Sequence, residues 1–117
     1  MPGEPQDDCL FCKIAAGQIP ATIVRETQTT VAFRDINPQA PTHVLVIPKA
    51  HYANAAELAT AAPELAADVL RETQAVADED KLDSYRIVFN TGAGVGQTVF
   101  HAHAHVLGGR GLTWPPG

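Results

Sequence analysis

The sequence predicts an α+β fold, an antiparallel five-stranded sheet with a long helix and a short N-terminal helix. Three observations predict it. Strand-like segments stand before and after one long Ala-, Leu- and Glu-rich stretch, in the order β-β-β-α-β-β. That stretch, residues 54–80, has helical spacing of its apolar side chains. The run His43-Val44-Leu45-Val46-Ile47 is nearly all apolar and ends at Pro48, as a strand covered on both faces would. With 117 residues, 45% of them hydrophobic, the chain can build a real core, and residues 1–117 read as a single domain without repeat or linker.

The elements follow in order. Residues 1–8, Met1-Pro2-Gly3-Glu4-Pro5-Gln6-Asp7-Asp8, are polar and acidic and read as a flexible tail. Cys9 to Ala16 can form a short helix that stops at Gly17, with Pro20 beyond. Thr22–Arg25 and Thr30–Asp35 read as a hairpin across a polar turn. Residues 36–41 must be a loop, because Pro38 and Pro41 would break any ladder. Asn54 can cap a first helical turn, and Pro63 suits the start of a longer helix running to about Asp80. Leu65, Val69 and Val76, with Ala62, Ala66 and Ala77, give that helix an ordinary packing stripe. Tyr85–Asn90 and Val99–Leu107 read as strands on either side of a glycine-rich loop, and residues 108–117 as an irregular tail.

Composition excludes several function classes. Thirteen acidic residues against 8 basic give a net charge of −5, which argues against a groove for polymeric nucleic acid. A single nucleotide remains possible, since backbone N–H groups can carry its phosphate. The N-terminus lacks the basic and apolar regions of a signal peptide, and no apolar run approaches the roughly 20 residues that span a bilayer. The chain is expected in the cytoplasm, without a membrane partner. Its 2 cysteines, Cys9 and Cys12, should then be reduced or metal-bound.

The chemistry concentrates near the C-terminus. In His101-Ala102-His103-Ala104-His105, strand periodicity puts three imidazoles on one face and Ala102, Ala104 and Val106 on the other. Packing gains nothing from three polar rings there, so the row is either a chemical device or a metal site. The loop Gly92-Ala93-Gly94-Val95-Gly96-Gln97-Thr98 leads straight into it. Glycines let backbone N–H groups approach an anion closely. Imidazole beside such a loop fits nucleophilic attack on phosphorus, and the ordinary histidine pKa of about 6.5 leaves the ring neutral enough for it. Read as residues alone, each feature has a plainer rival: a flexible turn, a turn-forming Asp35 before Asn37-Pro38, core packing for Phe11, Ile14 and Phe33, a satisfied His43.

Together these motifs resemble the histidine triad (HIT) superfamily. The stretch Gly96-Gln97-Thr98-Val99-Phe100-His101-Ala102-His103-Ala104-His105-Val106-Leu107-Gly108-Gly109-Arg110 carries the His-φ-His-φ-His-φ-φ signature, with φ apolar. Phe33 to His51 and the ending Trp114-Pro115-Pro116-Gly117 match as well, so the resemblance covers nearly the whole chain. The ending and Leu107-Gly108-Gly109-Arg110 resemble the branch of histidine triad nucleotide-binding proteins, purine nucleoside phosphoramidases that cleave the P–N bond of AMP or GMP derivatives. The resemblance implies a HIT-like fold and the following roles. His103 is the nucleophile that forms a nucleotidyl intermediate, His105 contacts the phosphate, and His43 supports the triad. Gln97 and Thr98 contact phosphate and leaving group, with Gly96 and Asn90 beside them. Threonine at 98 departs from the serine of many relatives and adds a methyl group, which bears on leaving-group preference. Asp35 accepts the ribose hydroxyls, and Leu10, Phe11, Ile14, Phe33 and Ile36 form the base pocket. The branch is homodimeric, with Trp114 near the partner's site.

Cys9-x-x-Cys12 has zinc-ligand spacing and needs two more ligands. With His43, His103 and His105 assigned, His51 and His101 remain. Several bacterial HIT proteins resemble this Cys9, Cys12, His51, His101 arrangement, which implies a structural Zn2+ and leaves catalysis without a metal cofactor. The competing readings are a dinucleoside polyphosphate hydrolase or nucleotidyltransferase of the same superfamily, a non-enzymatic nucleotide-binding module, and a zinc protein in which every histidine is a ligand.

Overall fold

The computed structural model describes residues 3–117. The first helix, α1, spans Leu10–Ala15, and Cys9 caps it: its Sγ accepts the Cys12 N–H at 3.3 Å. Gly17 then takes a φ of +75° that turns the chain away. Strands β1 (Ile23–Glu26) and β2 (Thr30–Arg34) form a hairpin whose turn is pinned by the Thr30 N–H donating to Thr27 Oγ1 at 3.0 Å. Strand β3 covers Thr42–Pro48. Helix α2 (Ala55–Ala61) starts at Asn54, whose side chain accepts the Glu57 N–H at 2.9 Å. Helix α3 runs Pro63–Glu79, strand β4 Tyr85–Val88 and strand β5 Ala104–Gly108, with a short 3-10 turn at Ala93–Val95 between the last two.

The five strands form one antiparallel sheet in the order β1-β2-β3-β5-β4. Strand β3 is central and buried along its whole length, because both faces of the sheet are covered. On one face Leu58 of α2 and Val69 and Val76 of α3 pack on Ala32, Val44, Val46, Ala104 and Val106. On the other, α1 lays Phe11, Cys12 and Ile14 on Val31, Phe33, Leu45 and Ile47. Each such apolar side chain gains about 1.5–3 kcal/mol by leaving water. At the end of α3 the Asp80 carboxylate accepts a two-pronged bond from Arg34 (2.8 and 2.9 Å) and one from Thr42 Oγ1 (2.7 Å). The Arg34 guanidinium holds that carboxyl below its ordinary pKa, and the contact locks the helix end to β2 and β3. Among the described residues, no helix is long and apolar enough to cross a membrane.

The α+β class and the five antiparallel strands agree with the sequence reading; the details depart from it in four places. Three helices are present rather than two. Pro63 lacks an N–H and crowds the preceding turn, so the chain breaks at Ala62 (φ −145°, ψ 69°) and α2 is separate. Strand β4 ends at Val88 rather than Asn90. The histidine strand begins at Ala104, not Val99. Its partner β3 ends at Pro48, with Val46 opposite Ala104, and the Ala102 N–H instead donates to Tyr52 O at 2.7 Å. The side-chain alternation nonetheless survives: Ala102, Ala104 and Val106 enter the core under α3, while His101 and His103 meet Phe11 edge to face. Of the expected tail, residues 1 and 2 lie outside the described residues. Residues 3–8 are tied down, with His51 N–H donating to Gly3 O (3.0 Å), Cys9 N–H to Gln6 O (3.2 Å) and Gln6 N–H to Cys12 Sγ (3.4 Å). Backbone that satisfies its donors on neighbouring elements has reason to stay put.

Candidate active site and metal centre

A cleft of about 360 Å³ opens between α1 and the face of the sheet at β2 and β3. Leu10, Phe11, Ile14, Phe33, Asp35, Ile36 and Thr98 line it, as do Ile19, Pro20, Ala21, Leu45 and Val99, which the sequence reading missed. A signal existed for Leu45: it shares strand parity with His43. Asn90, Gly96 and Gln97 do not reach this wall, and neither do His43, His103 and His105. Arg34 lines it too, and such a size with a mostly apolar lining, one carboxylate and one guanidinium suits a small planar ligand. Asp35 Oδ1 accepts the Asn37 N–H at 2.8 Å as a turn former, and the residue also lines the cleft. Likewise Phe11, Ile14 and Phe33 are core residues whose outer surfaces form the wall. Ile36 stands fully exposed at the rim.

The histidines adjoin this cleft. The His103 ring meets Phe11 edge-on with centroids 5.0 Å apart, and His105 lies directly across the sheet from Leu45. Their protonation can be read from their partners. His103 Nδ1 lies 2.7 Å from the carbonyl of His101, which can only accept, so Nδ1 carries the hydrogen and Nε2 keeps its lone pair. The Gln39 N–H donates to His43 Nδ1 at 3.0 Å, so the hydrogen of His43 sits on Nε2. That Nε2 lies 2.9 Å from His105 Nδ1 and 3.5 Å from an Asp35 carboxylate oxygen. His105 Nδ1 therefore accepts, and its hydrogen is on Nε2. This Nε2 is buried and has no hydrogen-bond partner among the described residues. Burial lowers the pKa of His103, and burial with the neighbouring His103 and His43 rings lowers that of His105 to about 4. Both rings are neutral at pH 7. A bare nitrogen and an unsatisfied N–H thus stand on rings 5.0 Å apart, which is the arrangement for attacking a centre while donating to an oxygen on it.

The loop before β5 is shaped by Gln97. Its Oε1 accepts the Gly92 N–H (2.9 Å), and its Nε2 donates to Ala53 O (2.8 Å) and Val99 O (3.1 Å). The amide expected to touch phosphate is committed to backbone and holds the loop instead. Gly92 and Gly96, at φ of +101° and +99°, allow that tight path. Thr98 is exposed and turned to the cleft, Asn90 is half-buried beyond β4, and Trp114 is 81% exposed.

On the other side of Phe11 lies a second cluster. Cys9 Sγ, Cys12 Sγ, His51 Nδ1 and His101 Nδ1 all lie within 4.8 Å of one another. The sulfur–nitrogen separations are 3.4 Å for Cys9–His101, 3.3 Å for Cys12–His51 and 3.4 Å for Cys12–His101. Tetrahedral zinc with ordinary Zn–S and Zn–N bonds would set them at about 3.6 Å, so the four donors fit it with small adjustment. Outer contacts fit too. His101 Nε2 donates to Pro48 O at 2.7 Å, which aims Nδ1 at the thiols, and the Cys12 and Gln6 N–H groups point at the two sulfurs. Burial lowers the His101 pKa to about 4, keeping it neutral as a ligand must be. Burial also pushes the Cys12 thiol up to about 11, a cost that a bound cation would reverse. Asp35, His43 and His105 also approach one another. Both His43 nitrogens and His105 Nδ1 are already engaged in hydrogen bonds, so that group reads as a relay rather than a metal site.

The sequence profile of the HIT domain family matches residues 16–112. An uncharacterised HIT-like protein of Synechococcus elongatus is 48% identical over 112 residues, 95% of this chain and 98% of that protein. A 14 kDa zinc-binding protein of Zea mays is 44% identical over 111 residues, 92% of this chain and 87% of that protein. Among solved structures, a HIT family hydrolase from Legionella pneumophila Philadelphia 1 superposes with a TM-score of 0.90 at 52% identity, covering 94% of this chain and 100% of that one. By sequence and by fold, the chain belongs to the HIT domain family.

Proposed function

We propose that this protein hydrolyses purine nucleoside 5′-phosphoramidates, adenylated lysine-type compounds among them, through a nucleotidyl-His103 intermediate. One observation carries the reading: His105 Nε2 is a buried donor with no acceptor among the described residues, beside a His103 ring whose Nε2 is bare. A buried N–H left unsatisfied costs about 1–3 kcal/mol, which a phosphoryl oxygen would recover. The similarity to proteins described as HIT family hydrolases supports hydrolysis as the reaction class.

In this reading the purine lies in the cleft between Phe11, Ile14, Phe33 and Ile36, and the second oxygen of Asp35 accepts from the ribose. His103 Nε2 attacks the α-phosphorus. A P–N bond to His103 forms as the P–N bond to the amine breaks. The positive charge that appears on His103 is held through Nδ1–H by the His101 carbonyl, and His105 Nε2–H meets the developing charge on a phosphoryl oxygen. The amine departs with one proton, for which the Thr98 hydroxyl is the donor at the rim. Water then attacks phosphorus, one of its protons returns to the Thr98 oxygen and the other goes to solvent, the nucleoside monophosphate leaves, and His103 is restored. Gln97 acts by holding the loop that presents Thr98.

Cys9, Cys12, His51 and His101 would hold a structural Zn2+, whose charge would clamp α1 to the histidine segment. We further read the molecule as a cytoplasmic homodimer. Support comes from β4 being an edge strand with Ile87 at its surface, and from Trp114 lying 81% exposed.

Quench-flow mass spectrometry with adenosine 5′-phosphoramidate tests the reading. Wild type should carry one nucleotidyl group on the peptide containing His103, and His103→Ala none. Faster turnover of a dinucleoside polyphosphate, or AMP binding without any turnover, would replace the phosphoramidase reading by one of its rivals.

A further inference from the structure

The motif Leu107-Gly108-Gly109-Arg110 has no part in the mechanism above, yet its geometry leads directly to the triad. Gly109 lies at φ +88°, and a Cβ there would come within 2.9 Å of Pro41 Cβ. Glycine therefore lets the end of β5 fold flat against the loop of residues 35–41. That approach delivers Arg110 to the loop: its Nε donates to Gln39 O at 2.9 Å and its Nη1 to Gly111 O at 3.0 Å. The Gln39 N–H is the group that donates to His43 Nδ1 at 3.0 Å. His43 Nε2 in turn faces His105 Nδ1 at 2.9 Å. The remaining bonds of the loop are internal or made to His43 itself: Gln39 Nε2 to Asn37 O (3.0 Å), Asn37 N–H to Asp35 Oδ1 (2.8 Å), Asp35 N–H to His43 O (2.9 Å).

We propose that Arg110 is a positioning residue that, by gripping Gln39, fixes the tautomers of His43 and His105 and so keeps the hydrogen of His105 on Nε2. The proposal rests on the reading of His105 as the phosphate donor. Imidazole has two neutral tautomers of similar energy, and only a placed partner selects between them. Without the Gln39 N–H at His43 Nδ1, His43 can carry its hydrogen there instead. His105 Nδ1 then loses its donor, and His105 loses its Nε2–H for part of the time. Arg110 touches neither substrate nor nucleophile; its effect passes through two peptide groups and one ring. It is exposed, so replacing it leaves no cavity.

The test is nitrogen-15 NMR of the imidazoles in the resting protein, alongside turnover of adenosine 5′-phosphoramidate. Wild type should show single Nε2–H tautomers at His43 and His105. Arg110→Gln should show averaged or doubled signals at both rings, with kcat down about tenfold and KM nearly unchanged, since the purine cleft is untouched. Arg110→Lys keeps a donor and should recover much of both. Gly109→Ala, which forces β5 away from Pro41, should reproduce the Arg110→Gln spectrum. Unchanged tautomers in both Arg110→Gln and Gly109→Ala would overturn the proposal, even if thermal stability fell, because the arginine would then be a structural brace. A wild type inert toward phosphoramidate would sink the functional reading, while the resting-state spectra would still decide this one.

Discussion

His101 and His105 are four residues apart, share one side of the chain, and meet opposite surroundings. The His101 end faces two thiols and a second imidazole, all converging on one point, with both of its ring nitrogens engaged. The His105 end faces another histidine held by a backbone N–H, and its outer nitrogen is left with a hydrogen and no acceptor. The first is a closed donor set that a soft cation would complete; the second, in the proposed reading, is a relay that an anion would complete. Burial makes both rings neutral. Neutrality therefore does not distinguish ligand from catalyst; the partners do. His103, between them, takes its orientation from the His101 carbonyl and its working neighbour from His105.

The comparison breaks most sharply at the ring in the middle. His103→Ala should lower turnover by about 10⁴-fold or more, as loss of a nucleophile does, while metal analysis still finds about one zinc per chain. If that variant lost its zinc, the two ends would be one metal cluster and the division would be wrong. Cys12→Ala attacks the other end. It should release the zinc and cost several kcal/mol of stability, read as a fall in melting temperature and in metal content together. Retained stoichiometric zinc in Cys12→Ala would remove the structural metal from the account. Asp35→Asn lies beyond both ends and should act on binding: KM for the phosphoramidate rises about tenfold, or about 1.4 kcal/mol, with a smaller change in kcat. An unchanged KM would mean that the carboxylate serves only the Asn37 turn.

Much of this contrast is legible in the chain. Alternation alone separates the three imidazoles from Ala102, Ala104 and Val106, and the caps at Asn54 and Pro63 announce their helices. What the chain hides depends on partners far away in sequence. Strand β5 starts late because Pro48, on another strand, ends the ladder. Gln97 turns inward because Ala53 O is within reach, 44 residues away. The cleft takes Ile19, Pro20 and Ala21 because the chain leaving α1 crosses the sheet beside Phe33, a path that no local pattern encodes. The roles of Gln39 and Arg110 are invisible for the same reason: both act through backbone groups, which carry no sequence signature.

The smallest expected effect is a pH dependence, and it sharpens the account of the open end. Burial first, then the His103 and His43 rings, lower the His105 pKa to about 4, against about 6.5 in an unfolded chain. Because the folded value is the lower one, the unfolded state binds the extra proton more readily. The contribution of this ring to stability is complete above about pH 6.5 and is lost as pH falls toward 4. The consequence for the relay has the same sign. Protonating His105 in the folded state puts a hydrogen on Nδ1, which can then no longer accept from His43 Nε2. The contact between His43 Nε2 and His105 Nδ1 should therefore persist from about pH 8 down to about pH 5 and be lost only below that, with the nitrogen-15 shifts of His105 as the readout. A transition centred near 6.5 would mean that His105 titrates like a ring in water. In that case the relay through His43 and Gln39 is not formed in solution, and the difference between the two ends reduces to the presence of thiols at one of them.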